Sequence, residues 1–328
     1  MNSTSNMVNY SKIGTIIFYT IIYIPGFIGN ILSLLTFSTG PMRKVSSGIF
    51  LLILSISDTL ALMTTLWYLL SDVFQIELST YSALGCRFRH FFAAVFMDTS
   101  SWCLTALSFD RFLKTQLPIR SKSISTPKNA LISIMIIFIL LCGLNSHLFS
   151  AGMGQERDKN TTLAHCRDNK DDYPQYYHFK KLIWPNIDMI IFCLLPALIM
   201  IISNIKIIHN IKRQRRNVDT NNGNNKKKKF MENQMMFMMF ACVVLFIITT
   251  FPLTIYLVLL ERTIGHYNNY YRDRQYWQFI LRMLRLLNYL HFGVNFYLYC
   301  LTSQLFRQEF IRVITWGRRN KRKWTSTE

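Results

Sequence analysis

Charged residues are scarce in this chain, and acidic residues are the scarcer kind. Only 16% of its 328 residues are charged, whereas soluble domains carry about 25%. The sequence shows no hydrolase, kinase or metal-ligand spacing, so we expect no enzyme, no cofactor and no metal centre. It also shows no internal repeat, which disfavours a transporter built from inverted repeats. The composition is instead strongly apolar, with 51% hydrophobic residues.

The hydrophobic residues are clustered in seven long runs, of which the seventh is the shortest and weakest. Each is near or above the roughly 20 residues that cross a membrane as a helix. The runs are Gly14–Phe37, Ser47–Leu70, Phe91–Phe109, Ala130–Ala151, Leu182–Asn204, Met235–Leu260 and Leu286–Leu301. We predict an all-α fold, a seven-transmembrane helix bundle over residues 13–302. Residues 1–12 precede it, and residues 303–328 form a short amphipathic eighth helix, Gln304–Ile314, with a basic cytoplasmic tail.

The charges between the runs predict which way the bundle faces. Lys and Arg gather in alternate loops and in the tail, whereas most loop acids fall in the other loops. By the positive-inside rule the N-terminus is extracellular, in a multi-pass protein of the plasma membrane. Glycosylation sequons at Asn2, Asn9 and Asn160 all fall on the predicted outside. The net charge of +20 then reflects topology and attraction to membrane lipid, and we expect no nucleic-acid partner.

Two of the seven cysteines differ from the rest in position. Cys86 and Cys166 lie at or beyond the predicted outer membrane edge, where an oxidising compartment permits a disulfide. We predict a Cys86–Cys166 bond that ties the second outer loop to the start of the third helix. The other five cysteines lie inside apolar runs and are expected to behave as small buried hydrophobic residues: Cys103, Cys142, Cys193, Cys242 and Cys300.

An Asp-Arg-Phe triplet, Asp110-Arg111-Phe112, ends the third run. Its arginine lies 25 residues after Cys86, roughly 37 Å of helix, so one helix reaches from one membrane face to the other. Seven spans, an outside N-terminus and this triplet together resemble the rhodopsin-like (class A) G-protein-coupled receptors. Further motifs of that family occur in order over about residues 13–315: Gly29-Asn30, Leu54, Asp58, Cys86, Ser100, Pro118-Ile119, Pro196, Phe246, Pro252, Asn295 and Tyr299.

Several positions depart from the family pattern. Phe112 replaces the usual tyrosine of the triplet, Thr250 replaces the switch tryptophan of the sixth helix, and Phe296 replaces the usual proline of the seventh. Variants of the last kind resemble neuropeptide receptors of the FMRFamide type. The resemblance implies that an extracellular peptide, amidated or not, or a small ligand acts through the bundle on an intracellular heterotrimeric G protein.

The resemblance also implies an activation switch in the inner half of the bundle. Arg111 can pair with Asp110 on its own helix or reach Glu232 at the start of the sixth helix, and breaking an interhelical pair would open a cytoplasmic cleft. Two alternatives stay open: Glu232 neutralises the lysines of 226–229, and Arg111 extends to the lipid headgroups. The remaining switch residues are Phe246, Pro252, Asn295 and Tyr299, and the expected G-protein contacts are Arg111, Pro118 and Ile119.

Asp58 is the most sharply placed buried charge, near the middle of the second run. A carboxylate at that depth marks an ion, proton or polar-network site. Asn30, Ser100 and Asn295 can supply oxygen ligands or hydrogen bonds to it. In the family this cluster can hold a sodium ion. Small polar residues of the seventh helix are replaced here, so we expect a polar network in preference to an ion site.

Two further carboxylates, Asp98 and Asp188, are candidates for ligand contact. They lie on the third and fifth helices, which are neighbours in the family, and two carboxylates near one cavity favour a guanidinium or an amine. The alternative for Asp98 is a helix-packing role, bonded to a Ser or Thr. Trp184 and Arg285, from the aromatic and charged outer rim, complete the predicted ligand site.

Two other functions stay open on the sequence. One is a transporter or channel with Asp58 as its ion site, although a permeation pathway would need more intramembrane charge. The other is a constitutively active or decoy receptor, suggested by the absent switch tryptophan at Thr250. Ligand-dependent current or uptake would support the first, and signalling without ligand the second.

Overall fold

The structure is a computed structural model that describes residues 2–38, 42–74, 83–154, 166, 170–217, 223–264 and 270–325. Eight long helices make up most of these residues, which confirms the predicted all-α class. They are α1 (Asn2–Ser38), α2 (Ser46–Phe74), α3 (Ala83–Gln116), α4 (Pro127–Asn145), α5 (174–217), α6 (Gly223–Ile264), α7 (Tyr270–Thr302) and α8 (Gln304–Thr325). Shorter helices occur at Met42–Lys44, Pro118–Ile124 and Ser146–Phe149.

Helix α5 is irregular because two π-helical turns interrupt it. It runs through Pro174–His178, a π-helical turn at Phe179–Ile183, then Trp184–Asp188, a second π-helical turn at Met189–Leu194, and Leu195–Asn217. Such wider turns are rare and occur frequently at functional sites. The segment between them carries two of the predicted ligand residues, Trp184 and Asp188.

Six of the described helices are long and apolar enough to cross a membrane. Their spans are Gly14–Ser38, Ser46–Trp67, Ala83–Gln116, Pro127–Phe149, Pro174–Arg213 and Phe237–Leu259. Helix α7 is not among these six, in keeping with its weak apolar run and with Arg282 and Arg285, two of its four arginines, which directly precede that run. It packs against α1 and α6, so contacts with its neighbours complete the seven-helix bundle.

Helix α3 has the most central position in the bundle, packing against α2, α4 and α5. The core between the helices includes Leu54, Phe246 and Phe292, which are almost fully buried. The periphery is equally apolar, as on α4, where Ile139 and Leu140 are 63% and 66% exposed. Apolar residues on both faces of a helix are expected where the surrounding solvent is lipid.

Two helices extend further than the apolar runs predict. Helix α1 begins at Asn2, so the predicted boundary at residue 12 falls inside it. Helix α8 continues to Thr325, beyond the amphipathic segment expected to end at Ile314. Neither extension contains proline, and adding a residue to an existing helix gains a hydrogen bond without a new nucleation step. Sequence hydrophobicity marks the membrane-crossing part of such a helix and not its end.

A pair of glycines permits the close approach of α1 and α7. A Cβ atom at Gly293 would lie 3.1 Å from the Cα of Gly26 and 3.3 Å from the carbonyl oxygen of Ile22. Both of these atoms belong to the backbone, so a larger residue at position 293 cannot be accommodated by moving a side chain. Small residues allow the same close contact between helices in other membrane bundles.

Gly293→Leu should therefore separate α1 from α7 and destabilise the protein by about 1–3 kcal/mol, the usual cost of overpacking. Thermal unfolding of the purified protein in detergent measures the effect. Gly143→Leu on α4 is the matched control, because nothing lies within 4 Å of a Cβ at that position. Equal melting temperatures for the two variants would show that the glycine contact does not limit packing.

Candidate functional site

The disulfide fixes one end of the bundle. Cys86 and Cys166 form the predicted bond, with their Cα atoms 5.6 Å apart, whereas the other five cysteines are unpaired. Arg87 adds a second tie at this end by donating from Nε to the carbonyl oxygen of Met153 at 2.7 Å. We call this the disulfide end, and the opposite end, which carries Asp110-Arg111-Phe112, the triplet end.

A cavity of about 430 Å³ opens in the half of the bundle nearer the disulfide. All four residues predicted from the sequence to contact a ligand line it, namely Asp98 of α3, Trp184 and Asp188 of α5, and Arg285 of α7. Its volume is within the range of small-molecule sites in proteins. Further residues of its wall that sequence reasoning did not select include His90, Lys180, Lys181, Asn288 and Tyr289.

The two carboxylates of the cavity have different surroundings. Asp98 is buried and accepts a hydrogen bond of 2.8 Å from Nδ2 of Asn145 on α4. It therefore has a packing role and lines the cavity at the same time, although its partner is an asparagine and not the expected Ser or Thr. Asp188 has no hydrogen bond or ion pair with any residue whose side chain is described. Asp188 is thus the more available of the two acids.

A polar cluster lies at the centre of the bundle around Asp58, which is fully buried. One carboxylate oxygen accepts a hydrogen bond from the hydroxyl of Ser100 at 2.5 Å, and the other accepts from Nδ2 of Asn295 at 2.7 Å. Asp58 thereby links α2 to α3 and α7. Asn30 does not bond to Asp58, because its Nδ2 donates to the backbone carbonyl of Phe292 at 2.9 Å.

Aromatic side chains connect the cavity with this polar cluster. Phe192 of α5 lines the cavity, and its ring centroid is 6.3 Å from that of Phe246 on α6. Phe246 in turn meets the His291 ring of α7 edge-on at 5.2 Å, and both side chains are fully buried. Pro252 lies inside α6 beyond Phe246. A continuous set of packed rings therefore connects α5 at the cavity with α6 and α7.

Tyr299 lies between the polar cluster and α8. Its ring packs edge-on against Phe37 at 5.9 Å and against Phe306 of α8 at 5.6 Å. Its buried hydroxyl has no hydrogen-bond partner among the residues that the structure describes. This residue thus connects α1, α7 and α8 through ring packing.

At the triplet end the carboxylate of Asp110 is held by a cluster that the sequence did not predict. It accepts hydrogen bonds from the hydroxyls of Ser46 at 2.9 Å and Ser47 at 3.2 Å, at the start of α2. Its ion-pair partner, at 2.8 Å, is Lys114 one turn along α3, and not the neighbouring Arg111. The four-residue spacing of Asp110 and Lys114 in the sequence could have predicted this ion pair, because residues at that spacing share a helix face.

Arg111 makes no hydrogen bond or ion pair within the described set of side chains. The side chain of Glu232, its predicted interhelical partner, lies outside that set, so this pair stays a prediction. Pro118 begins the short helix Pro118–Ile124, and Ile119 on it is 86% exposed. The side chains of Asn2 and Asn9 and all of Asn160 also lie outside the described residues, and their glycosylation stays a prediction.

The apolar spans, the central polar cluster and a cavity of ligand size at one end define a multi-pass helical membrane protein. The sequence matches the family model of the seven-transmembrane receptors, rhodopsin family, over residues 29–305. The chain therefore belongs to this family, and it is not an enzyme.

Curated relatives of the chain include galanin receptors. It is 28% identical to galanin receptor type 2 of Mus musculus over 149 residues, which cover 45% of this chain and 40% of that receptor. It is 29% identical to galanin receptor 2a of Danio rerio over 144 residues, or 44% and 39% of the two chains. With galanin receptor type 1 of Rattus norvegicus it shares 25% identity over 207 residues, or 62% and 57%. The aligned regions thus span between two fifths and three fifths of these relatives.

Proposed function

We propose that this protein is a plasma-membrane receptor that couples an extracellular peptide to an intracellular heterotrimeric G protein. The observation that carries the proposal is the cavity at the disulfide end, where Asp98, Trp184, Asp188 and Arg285 line one space. Four residues chosen from three distant parts of the sequence face a single cavity of ligand size. The positive-inside rule orients that cavity outward and the N-terminus with it.

The two carboxylates of the cavity favour a peptide that presents a cationic group to them, while Lys180, Lys181 and Arg285 of the same wall can bind acidic or carbonyl groups of that peptide. A guanidinium or ammonium group near Asp98 and Asp188 forms charge-assisted hydrogen bonds, which are stronger than neutral ones. A short peptide with an arginine and an amidated C-terminus has this chemistry and brings no negative charge to the acids. Because the relatives are named galanin receptors, galanin is a natural peptide to test as well.

Signal transfer is proposed to be a population shift between two packings of the bundle. A ligand that binds one packing better stabilises it by the difference in affinity. The rings of Phe192, Phe246 and His291 link the cavity wall to the centre of the bundle. There, Asp58 of α2 accepts a hydrogen bond from Ser100 of α3. Both oxygens of Asp58 already accept hydrogen bonds from side chains, which supports a polar network there in preference to a sodium ion.

The G-protein surface is proposed at the triplet end. Arg111 lies in the last two turns of α3, and Pro118 and Ile119 begin the short helix that follows it. An isoleucine that is 86% exposed on a polar, basic face is a suitable apolar contact for a partner protein. Opening of α6 by loss of an Arg111–Glu232 pair would enlarge this surface.

Nucleotide exchange on a purified G protein, driven by amidated peptides and galanin, tests the proposal. For an arginine-containing agonist, Asp188→Asn should reduce potency about tenfold to a hundredfold, because a hydrogen bond between charged groups contributes about 1.5–3 kcal/mol. Asp171→Asn makes the same chemical change at an exposed position outside the cavity and should leave potency unaltered. Arg111→Ala should retain peptide binding and lose exchange.

The same assay separates the alternatives. Unchanged potency in Asp188→Asn would contradict the cationic-ligand proposal, and intact exchange in Arg111→Ala would contradict the switch assignment. High exchange without any peptide would indicate a constitutively active receptor. Ligand-dependent ion current in liposomes, without exchange, would indicate a channel or transporter.

A further inference from the structure

The acidic and basic side chains of the ligand cavity lie at different depths in the bundle. Its wall carries Lys180, Lys181 and Arg285 together with the two acids, Asp98 and Asp188. Charges of opposite sign that are mixed at one depth would neutralise each other. Charges that are separated by depth instead recognise a ligand whose own charges are separated in the same way.

The two acids lie at one level, because a contact between α3 and α5 fixes their relative depth. The hydroxyl of Ser101 on α3 donates to the backbone carbonyl oxygen of Phe192 on α5 at 2.8 Å. Asp98 lies three residues before Ser101, and Asp188 lies four residues before Phe192. Both acids are therefore about one helical turn nearer the disulfide end than this contact. Their carboxylates are close enough to repel each other, so one cationic group between them can interact with both.

The basic residues lie closer to the disulfide end. Lys181 is seven residues before the acid of its own helix, α5, a separation of about 10 Å along the axis. Lys180 of α5 and Arg285 of α7 both interact electrostatically with His90 of α3. His90 in turn is eight residues, or about 12 Å, before the acid of α3. The cavity thus has a basic level toward the disulfide end and an acidic level about 10 Å deeper.

This arrangement disfavours a ligand that carries only positive charge. Such a ligand has to pass the basic level, and any second cation that it carries is left beside Lys181 and Arg285. Placing like charges next to each other in a binding site is costly. A carboxylate at the basic level removes this repulsion and forms charge-assisted hydrogen bonds with the same side chains.

We propose that the cavity selects a dipolar peptide segment, in which a carboxylate lies about 10 Å from the cationic group, an inference that rests on the proposed function. The cationic group reaches Asp98 and Asp188 at the deeper level. The carboxylate binds Lys181 and Arg285 nearer the disulfide end. Because an extended chain advances about 3.3 Å per residue, the two charged groups are about three positions apart in the peptide. An acidic side chain and a free C-terminal carboxylate provide the same chemistry at this level.

Affinity selection on the full-length protein in phosphatidylcholine nanodiscs tests this ligand class. The probes are pools of N-acetylated, C-amidated hexapeptides with Asp and Arg three positions apart, in both orders, and the remaining positions mixed. Mass spectrometry measures the fraction of each pool that the protein retains. We expect about tenfold more retention than for pools with Asn in place of Asp, the effect of one hydrogen bond between charged groups. Pools with Asp and Arg adjacent should be retained no better than the Asn pools.

Two further sets of pools complete the design. One has Gln in place of Arg and measures the preference for a cationic group by itself. The other keeps Arg and Asn but ends in a free carboxylate three positions after Arg. Strong retention of this last set would assign the carboxylate to a peptide C-terminus, and retention of only the Asp pools would assign it to a side chain.

Variants of the protein assign the basic level to particular residues. Lys181→Gln and Arg285→Gln should each reduce retention of the Asp pools about fivefold without reducing that of the Asn pools. Lys170→Gln is the matched control, since Lys170 is exposed and lies outside the cavity wall, and it should change neither. Asp188→Asn should instead reduce retention of both. The comparison of pools on the parent protein decides the question even if a variant fails to fold.

The outcomes separate this inference from the proposed function. Equal retention of Asp and Asn pools by the parent protein would overturn the dipolar ligand, and a persisting preference for Arg over Gln would leave the cationic ligand in place. Loss of the preference for Arg would contradict the cationic ligand itself. Equal retention of adjacent and spaced pools would contradict the two levels, and retention of no pool would overturn both proposals.

Discussion

Replacing Asp58 with leucine is expected to abolish peptide-stimulated nucleotide exchange and to lower the melting temperature of the purified protein by several degrees. Asp58 accepts hydrogen bonds from Ser100 on α3 and Asn295 on α7 in the fully buried centre of the bundle. Leucine leaves both donors without a partner, and each unsatisfied group costs about 1–3 kcal/mol. The three helices also lose the side chain that joins them.

Asp58→Asn is the matched control because it keeps the size and shape of the side chain. An asparagine at this position can accept one hydrogen bond and donate another. The Asn295 carbonyl oxygen has no partner among the described residues and is available to accept. We therefore expect Asp58→Asn to melt near the parent protein and far above Asp58→Leu. Equal melting temperatures for the two variants would show that the polar link does not stabilise the bundle.

The second large effect is expected at the triplet end. Asp110→Lys should raise nucleotide exchange in the absence of peptide several-fold, and it should also destabilise the protein. The substitution places a second cation beside Lys114 and removes the acceptor that holds Ser46 and Ser47 of α2. Loss of this link frees the end of α3 that carries Arg111, and we expect the packing in which α6 is open to become more populated.

The charge-swapped double variant Asp110→Lys, Lys114→Asp tests the mechanism. It restores an ion pair at the same four-residue spacing, and serine hydroxyls can accept from lysine as well as donate to aspartate. We expect it to recover at least half of the lost stability and to bring basal exchange back toward the parent value. Interaction energies between contacting residues are about 0.5–3 kcal/mol, so the recovery is measurable. Strictly additive effects of the two single variants would rule out the pair.

The sequence predicted the disulfide and the membrane-crossing helices, but not how far those helices extend. Long apolar runs report only the part of a helix that lies in lipid, so α1 and α8 are longer than the runs that mark them. The seventh helix shows the converse. It is less apolar than the other spans, and its position depends on packing against α1 and α6. The hydropathy of the sequence does not reveal such packing.

In the candidate site, too, the sequence predicted some features and not others. Asp98 and Asp188 could be selected from the sequence because a carboxylate inside an apolar run is costly and therefore conspicuous. The sequence could not predict that Asp188 is more available to a ligand than Asp98. That difference depends on the hydrogen bond from Asn145, which is 47 positions from Asp98. Likewise, Asn30 was expected beside Asp58, but the crossing of α1 and α7 turns it to the Phe292 carbonyl.

By itself, the sequence determined the class, the spans, the disulfide and the inventory of buried charges. Each of these follows from the free energy of placing particular side chains in lipid or water, which is a local property of the chain. The tertiary structure alone decided which partner each buried charge has, how closely α1 approaches α7, and where the ligand cavity lies. Those features depend on distances between helices that are remote in sequence, and one packed arrangement of the whole bundle sets all of them together.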